Sequence, residues 1–353
     1  MGTRPEIIKM SPIIRACESH NVDYFILHTG QHYSYDMDKT FFEDLHLPQA
    51  KYNLDVGSGS QATQTAKILI GIEDVLLKEK PDIVLVQGDT NTVLAGALAA
   101  AKLHIKIGHV EAGLRSYDRT MPEEINRVLT DHISDYLFAP TDNSRNNLQI
   151  EGISDEKIFV TGNTVVDAAY QNLELSKKSI NILGELGITP KHYVLVTAHR
   201  AENVDVMERL QNILESLKII NNKYNITVIF PMHPRTVKMI HAFGLSTEGI
   251  IVTNPCGYLE FLQLEENAKL ILTDSGGLQE EGCILGTPCI TLRDNTERPE
   301  TVDVGANTLA GTDVERILEQ VESRMNSHDT WSNPFGDGHA AEHILNVILN
   351  GEN

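Results

Sequence analysis

Leu270-Ile271-Leu272-Thr273-Asp274-Ser275-Gly276-Gly277-Leu278-Gln279-Glu280-Glu281 is a short apolar run that stops on a Ser-Gly-Gly turn and restarts as a helix. A four-residue apolar run ending on turn residues reads as a buried strand, and Ser before a run of helix formers opens a helix. The pair is one strand-turn-helix step of a parallel sheet.

The same step recurs on both sides of it. Tyr24 to Thr29, Ile83 to Val86, Ile105 to Val110, Tyr136 to Ala139 and Ile158 to Thr161 read as strands separated by amphipathic helical stretches. The rhythm begins again with Tyr193 to Thr197, Thr227 to Pro231, Ile250 to Thr253, Leu270 to Thr273 and Cys289 to Leu292. Strands alternating with helices predict an α/β fold of two doubly wound, Rossmann-like parallel sheets. Residues 1–166 are expected to form the first domain and 167–334 the second, with a break near Gly162 to Asp167. The segment 335–353 is expected to carry a C-terminal helix, an apolar stretch from Ala340 to Leu349 after the loop Asn333-Pro334-Phe335-Gly336-Asp337-Gly338. In a Rossmann-like half a strand directly precedes the first glycine turn, yet only Met1 stands before Gly2. Two expectations fit: a start further upstream, or a first sheet without its central strand.

A chain of 353 residues suits two such domains, and 41% hydrophobic with 22% charged residues is the mixture of a globular protein. The formal charge of -20, from 29 basic against 49 acidic residues, argues against nucleic acid or an anionic membrane as partner. No run approaches the ~20 apolar residues of a spanning helix, and no apolar signal segment opens the chain, so a cytoplasmic location is expected. Cys17, Cys256, Cys283 and Cys289 show no CxxC spacing, which predicts neither a zinc site nor a disulfide framework. No metal and no cofactor are expected.

Several turns carry groups suited to an anionic, hydroxyl-rich ligand. In Ser275-Gly276-Gly277 the small residues let backbone amides approach a diphosphate at the positive end of a helix. Glu281 lies nearly two turns further on, within reach of sugar hydroxyls. A plain helix cap with a solvated acidic face is the rival reading. Gly2-Thr3-Arg4-Pro5-Glu6, followed by Lys9, is a second and weaker anion loop, equally readable as an ordinary strand-to-helix turn. Asp89 in Gln87-Gly88-Asp89-Thr90 and Glu111 in His109-Val110-Glu111-Ala112-Gly113 sit just past strand ends, where open α/β sheets bind ligands. Glu123 opens a helix, where a carboxylate also suits the dipole without any function. His199-Arg200, again past a strand end, suits a phosphate better than a core. His233-Pro234-Arg235 reads equally well as a surface cap, and Arg298 adds a loop cation.

Taken together, these segments resemble the non-hydrolysing UDP-N-acetylglucosamine 2-epimerases. The likeness rests on GTRPE with Lys9, QGDT, HVEAGLR, MPEEINR, His199-Arg200, TDSGGLQEE, RDNTERPE and NPFGDG, in order and over essentially the whole chain. It implies a glycosyltransferase B-type fold with a cleft between the domains and the C-terminal helix crossing back to the first. It further implies a homodimer that converts UDP-GlcNAc to UDP-ManNAc. By the likeness Arg4, Lys9, Asp89, Glu111, His199, Arg200, Cys256, Phe261, Ser275, Gly276, Gly277, Glu281 and Arg298 line the UDP-GlcNAc site. Glu281 would hold the ribose and Phe261 would lie near the uracil. Asp89, Glu111, Glu123 and His199 are the implied catalytic set. Gln31, His32 and His233 are candidates for a second, activating UDP-GlcNAc site of the kind bacterial members carry. The chain departs from many relatives at Ala201, at Tyr33-Ser34-Tyr35 and at Cys256, which weighs against such activation.

The family's route is elimination of UDP to 2-acetamidoglucal and its readdition, which needs no nicotinamide. Asp89 and Glu111 are assigned to proton transfer with Glu123 in support; either of the first two fits as the base. The rivals are a hydrolysing epimerase that releases ManNAc and UDP, a glycosyltransferase of the same fold, and a nucleotide-sugar sensor.

Overall fold

In the computed structural model, residues 1–31, 35–326 and 330–351 are described, the side chains of 35–38 excepted. Their strands are β1 (Leu27–His28), β2 (Tyr52–Asn53), β3 (Ile83–Gln87), β4 (Lys106–Val110), β5 (Tyr136–Ala139) and β6 (Ile158–Val160). There follow β7 (Tyr193–Thr197), β8 (Thr227–Pro231), β9 (Ile251–Thr253), β10 (Leu270–Thr273), β11 (Cys289–Thr291) and β12 (Asn307–Leu309). Every pairing is parallel. The chain divides into two compact units, Met1–Gln171 with Phe335–Asn353, and Asn172–Pro334. Both are Rossmann-like α/β units, as the alternating pattern predicts. No helix of the described residues is long and apolar enough to cross a membrane.

The second unit has one six-stranded sheet in the order β12-β11-β10-β7-β8-β9. Counted within the unit this is 6-5-4-1-2-3, the doubly wound order, and its winding reverses between β7 and β10. Ligands of open α/β sheets sit beyond the carboxyl ends of the strands at that reversal. The strands there are Tyr193–Thr197 and Leu270–Thr273, whose ends are in register at Thr197 and Thr273. All of β10 is buried, since helices cover both faces, which is why it reads as an uninterrupted apolar run.

The first unit's sheet comes in two pieces, β1-β2 and β3-β4-β5-β6. The backbone of Met1 pairs with β1, donating to Leu27 at 2.9 Å and accepting from Thr29 at 2.8 Å. Gly2 then enters the helix Arg4–Ser19 against Thr29 and Thr92, whose hydroxyls would lie 2.4 and 2.2 Å from an added Cβ. The glycine is fixed by this approach.

The last helix, Ala340–Asn350, belongs to the first unit and packs on Arg4–Ser19. The buried carboxylate of Asp167 accepts from the amides of Ala340 (3.2 Å) and Ala341 (2.9 Å), satisfying two donors that a helix N-terminus otherwise leaves open. The return of this helix agrees with the glycosyltransferase B-type organisation.

Candidate active site

In the first unit, Gln87 of β3 faces Val110 of β4 in register. Asp89 and Glu111 therefore leave the sheet side by side, two and one residues past those ends. Glu111 adopts φ +71°, a left-handed backbone that costs a non-glycine residue on the order of 1–3 kcal/mol and is found where geometry is imposed by function. Its carboxylate is gripped by Lys9, whose Nζ lies 2.7 Å from each oxygen, and by the Gln87 side-chain amide. Asp89 accepts from Arg127 Nη2 at 2.5 Å, and its backbone carbonyl accepts from Asn126 at 2.9 Å. Arg127 also binds Glu124 at 2.9 Å.

Glu123 is half-buried and makes no hydrogen bond or ion pair among the described residues. Its neighbour Glu124 organises the loop instead, accepting from the amides of Ser116 and Tyr117, both at 2.9 Å. Burial raises the Glu124 pKa, but these amides and Arg127 outweigh it and hold the carboxyl below its ordinary value.

A layer of charge lies beneath these turns. His109 is fully buried, with Nδ1 2.6 Å from Asp131 and Nε2 2.8 Å from the Gly88 carbonyl. A ring that faces an acceptor at both nitrogens is an imidazolium. Burial alone would lower its pKa, but the Asp131 charge and the two hydrogen bonds prevail and raise it. Asp131 also meets Arg115 at 2.7 Å, and Arg115 meets Glu151 at 2.6 Å. The turn carrying Asp89 is thus tied to β4 through Gly88.

Arg4 opens its helix with its guanidinium 5.6 Å from the centroid of the Phe41 ring. Gln31 is buried, and its side-chain oxygen accepts from the amide (3.2 Å) and the hydroxyl (2.8 Å) of Thr92. His32, also a candidate for an activating site, lies outside the described residues.

In the second unit, the turn after β7 carries His199 and Arg200, and that after β10 carries Ser275 to Gly277. The two are joined by Asp274, fully buried, which accepts from the amides of His199 (3.0 Å) and Arg200 (3.0 Å) and from Asn203 (3.1 Å). The His199 ring is 44% exposed, its Nδ1 3.4 Å from Asp274 and its centroid 5.9 Å from that of His233. Partial desolvation lowers its pKa, with His233 and Arg200 adding to the effect and Asp274 opposing it. His233 caps the helix Pro234–Phe243, its Nδ1 accepting from the Arg235 amide at 3.2 Å.

Ser275 precedes the helix Gly276–Leu285 without capping it by its side chain. A Cβ on Gly276 or Gly277 would come no closer than 3.7 and 3.9 Å to any atom outside the adjoining chain. Packing within the protein does not demand glycine there, whereas close approach of a ligand to the first-turn amides would. Arg200 stands 3.6 Å from Glu297, and Arg298 meets Glu280 at 3.0 Å. Cys256 and Phe261 are half-buried and pack on one apolar cluster with Leu278. Burial raises the Cys256 thiol pKa. Glu281 is half-buried and hydrogen-bonded to Tyr258.

Sequence reading missed Asp274, His109, Asp131 and Arg127. Asp274 lies in the TDSGG run, and its signal is a carboxylate directly after a buried strand. His109 and Asp131 are 22 residues apart and carry no local signal. Among the described residues no cluster of three His, Cys, Asp or Glu side chains could hold a metal ion.

The profile of the UDP-N-acetylglucosamine 2-epimerase family matches residues 15–349. A UDP-N-acetylglucosamine 2-epimerase of Methanocaldococcus jannaschii is 59% identical, with 100% of this chain and 98% of that protein covered. The crystal structure of the UDP-GlcNAc 2-epimerase of that organism in complex with UDP-GlcNAc and UDP superposes with a TM-score of 0.85 at 60% identity, covering 99% and 98% of the two chains. A UDP-2,3-diacetamido-2,3-dideoxy-D-glucuronate 2-epimerase of Pseudomonas aeruginosa is 43% identical over 99% of this chain and 98% of its own. With strand ends, glycine turn and carboxylates disposed as described, the chain belongs to the UDP-N-acetylglucosamine 2-epimerase family.

Proposed function

We propose that this protein inverts C2 of UDP-N-acetylglucosamine to give UDP-N-acetylmannosamine without net hydrolysis. The observation that carries the reading is the pair of carboxylates, Asp89 and Glu111, at adjacent strand ends of a chain that aligns with 98% of a UDP-N-acetylglucosamine 2-epimerase. The hydrogen at C2 is too weakly acidic to leave unaided. In an elimination, a carboxylate takes the C2 proton, the electron pair becomes the C1=C2 bond, and the C1–O bond breaks to release UDP and 2-acetamidoglucal. Proton delivery to the other face of C2 and return of a β-phosphate oxygen to C1 complete the inversion. No net oxidation occurs.

Asp89 and Glu111 serve as the proton-transfer pair, contributing on the order of 10²–10⁴-fold each, and Glu123 supports them. In that unit Lys9 neutralises Glu111, and Arg4 is assigned to the diphosphate. In the second unit the amides of Ser275 to Gly277, with His199, Arg200 and Arg298, stabilise the departing diphosphate. Glu281 holds the ribose, and Phe261 with Cys256 lies by the base.

The test is incubation of the purified protein with UDP-GlcNAc in deuterated water. UDP-ManNAc carrying deuterium at C2 is the expected product. ManNAc with free UDP would mean hydrolysis, and an undeuterated product would exclude elimination. Failure to convert UDP-GlcNAc while UDP-2,3-diacetamido-2,3-dideoxy-D-glucuronate turns over would move the substrate to that of the Pseudomonas relative.

A further inference from the structure

Two helices of the second unit, Tyr258–Asn267 and Gly276–Leu285, bring together two carboxyl groups. Glu265 is fully buried, and no donor among the described residues reaches either of its carboxyl oxygens. Its neighbour at hydrogen-bonding range is the carboxyl of Glu281. The enclosed Tyr258 hydroxyl reaches the same Glu281 carboxyl and Asn172. Oxygens of two carboxyl groups lie together inside a protein only when a proton stands between them, because two ionised groups would repel at low dielectric.

We propose that Glu265 is a positioning residue that shares one proton with Glu281 and thereby fixes the Glu281 carboxyl, steadied also by Tyr258, in the orientation that meets the ribose. This rests on the reading above that Glu281 holds the ribose. Glu265 touches no substrate; Glu281, being half-buried, is the member of the pair that solvent and ligand can reach.

Tyr193 from β7 and Cys289 from β11 also face Glu265, with Arg324 of the helix Val314–Asn326 acting on Cys289. Burial first and Glu281 second push the Glu265 acid well above the usual carboxylate range. The sign follows. A group whose pKa is raised by folding contributes stability below its ordinary value and loses it as pH rises through the raised one. UDP affinity falls in the same direction, since loss of the shared proton sets Glu281 against an ionised neighbour.

The test is UDP affinity by calorimetry across pH for the wild type, Glu265→Gln, Glu265→Leu and Glu281→Ala, with melting temperatures as a folding control. Glutamine donates as the protonated acid does but does not titrate, so Glu265→Gln should keep neutral-pH affinity within about twofold and flatten the alkaline decline. Glu265→Leu should bind about tenfold more weakly while folded, and Glu281→Ala at least as weakly. The infrared difference between wild type and Glu265→Gln should contain a protonated carboxyl band at neutral pH. Full UDP affinity in Glu265→Leu beside weakened Glu281→Ala overturns the positioning role alone. Full affinity in Glu281→Ala overturns the ribose reading and the role together. Absence of the carboxyl band overturns the shared proton, and this measurement and the glutamine variant decide the matter even if Glu265→Leu does not fold.

Discussion

Lys9 Nζ stands 2.7 Å from both carboxylate oxygens of Glu111, joining the first helix to the end of β4 across 102 residues of sequence. The side chains are only 16% and 6% exposed, so neither charge is well served by water. Removing one partner of such a pair leaves the other buried and uncompensated. Lys9→Met should lower stability by about 2–3 kcal/mol in urea denaturation, because Gln87 remains to satisfy only part of the Glu111 carboxylate. Turnover should fall with it, as Glu111 loses the contact that fixes its position.

Asp89→Asn and Glu111→Gln keep shape and remove proton-transfer capacity. Each should lower kcat by roughly 10²–10⁴-fold while UDP affinity by calorimetry changes little. A loss of UDP affinity matching the loss of kcat would place these residues in binding rather than proton transfer.

Two glycines should respond in opposite ways to alanine. At Gly113, with φ +80°, a Cβ would lie 2.3 Å from the Ser144 carbonyl oxygen, so Gly113→Ala should destabilise by about 2–4 kcal/mol. At Gly277 the nearest atom is 3.9 Å away, and alanine is the better helix former, so Gly277→Ala should leave the melting temperature unchanged or slightly raised. Its UDP affinity should nevertheless drop, on the order of tenfold or more, if amides of that turn meet the diphosphate. Thermal melts with and without UDP separate the two effects.

Two buried histidines should bend the pH dependence of stability in opposite directions. Burial drives the His28 pKa from 6.5 down to about 4, with the chain's amino group adding to the effect. Its unfolded form then binds a proton that its folded form does not, and stability falls as pH drops from 6.5 towards 4, by about 3 kcal/mol in total. His109 is raised, so its contribution is complete below 6.5 and is lost as pH rises through its folded value. Histidine titration by NMR should find His109 titrating above 6.5 and His28 neutral at that pH. His28→Phe should flatten the acid limb of the stability curve.

Tyr136–Ala139, Tyr193–Thr197, Thr227–Pro231 and Leu270–Thr273 were legible to the residue, because parallel strands covered by helices on both faces are written as continuous apolar runs. Tyr52–Asn53 and Asn307–Leu309 were not legible. Each lies at a sheet edge with an asparagine in the pairing, and no local run marks it. The stretch Tyr24 to Thr29 reads as six strand residues, yet only Leu27 and His28 form ladder pairs, since β2 offers just two partners.

What the sequence by itself determined is the α/β alternation, the return to a second sheet, and the turns bearing Asp89, Glu111, His199 and Ser275, since each is a local event of a few residues. What only the tertiary structure decided is how those groups are held. Lys9 finds Glu111, Arg127 finds Asp89, His109 becomes charged between Asp131 and Gly88, and Asp274 binds two turns at once. These partners lie 21 to 102 residues apart. A buried charge is satisfied by whatever the sheet order brings beside it, and sheet order is set by packing across the whole unit rather than by neighbours in the chain.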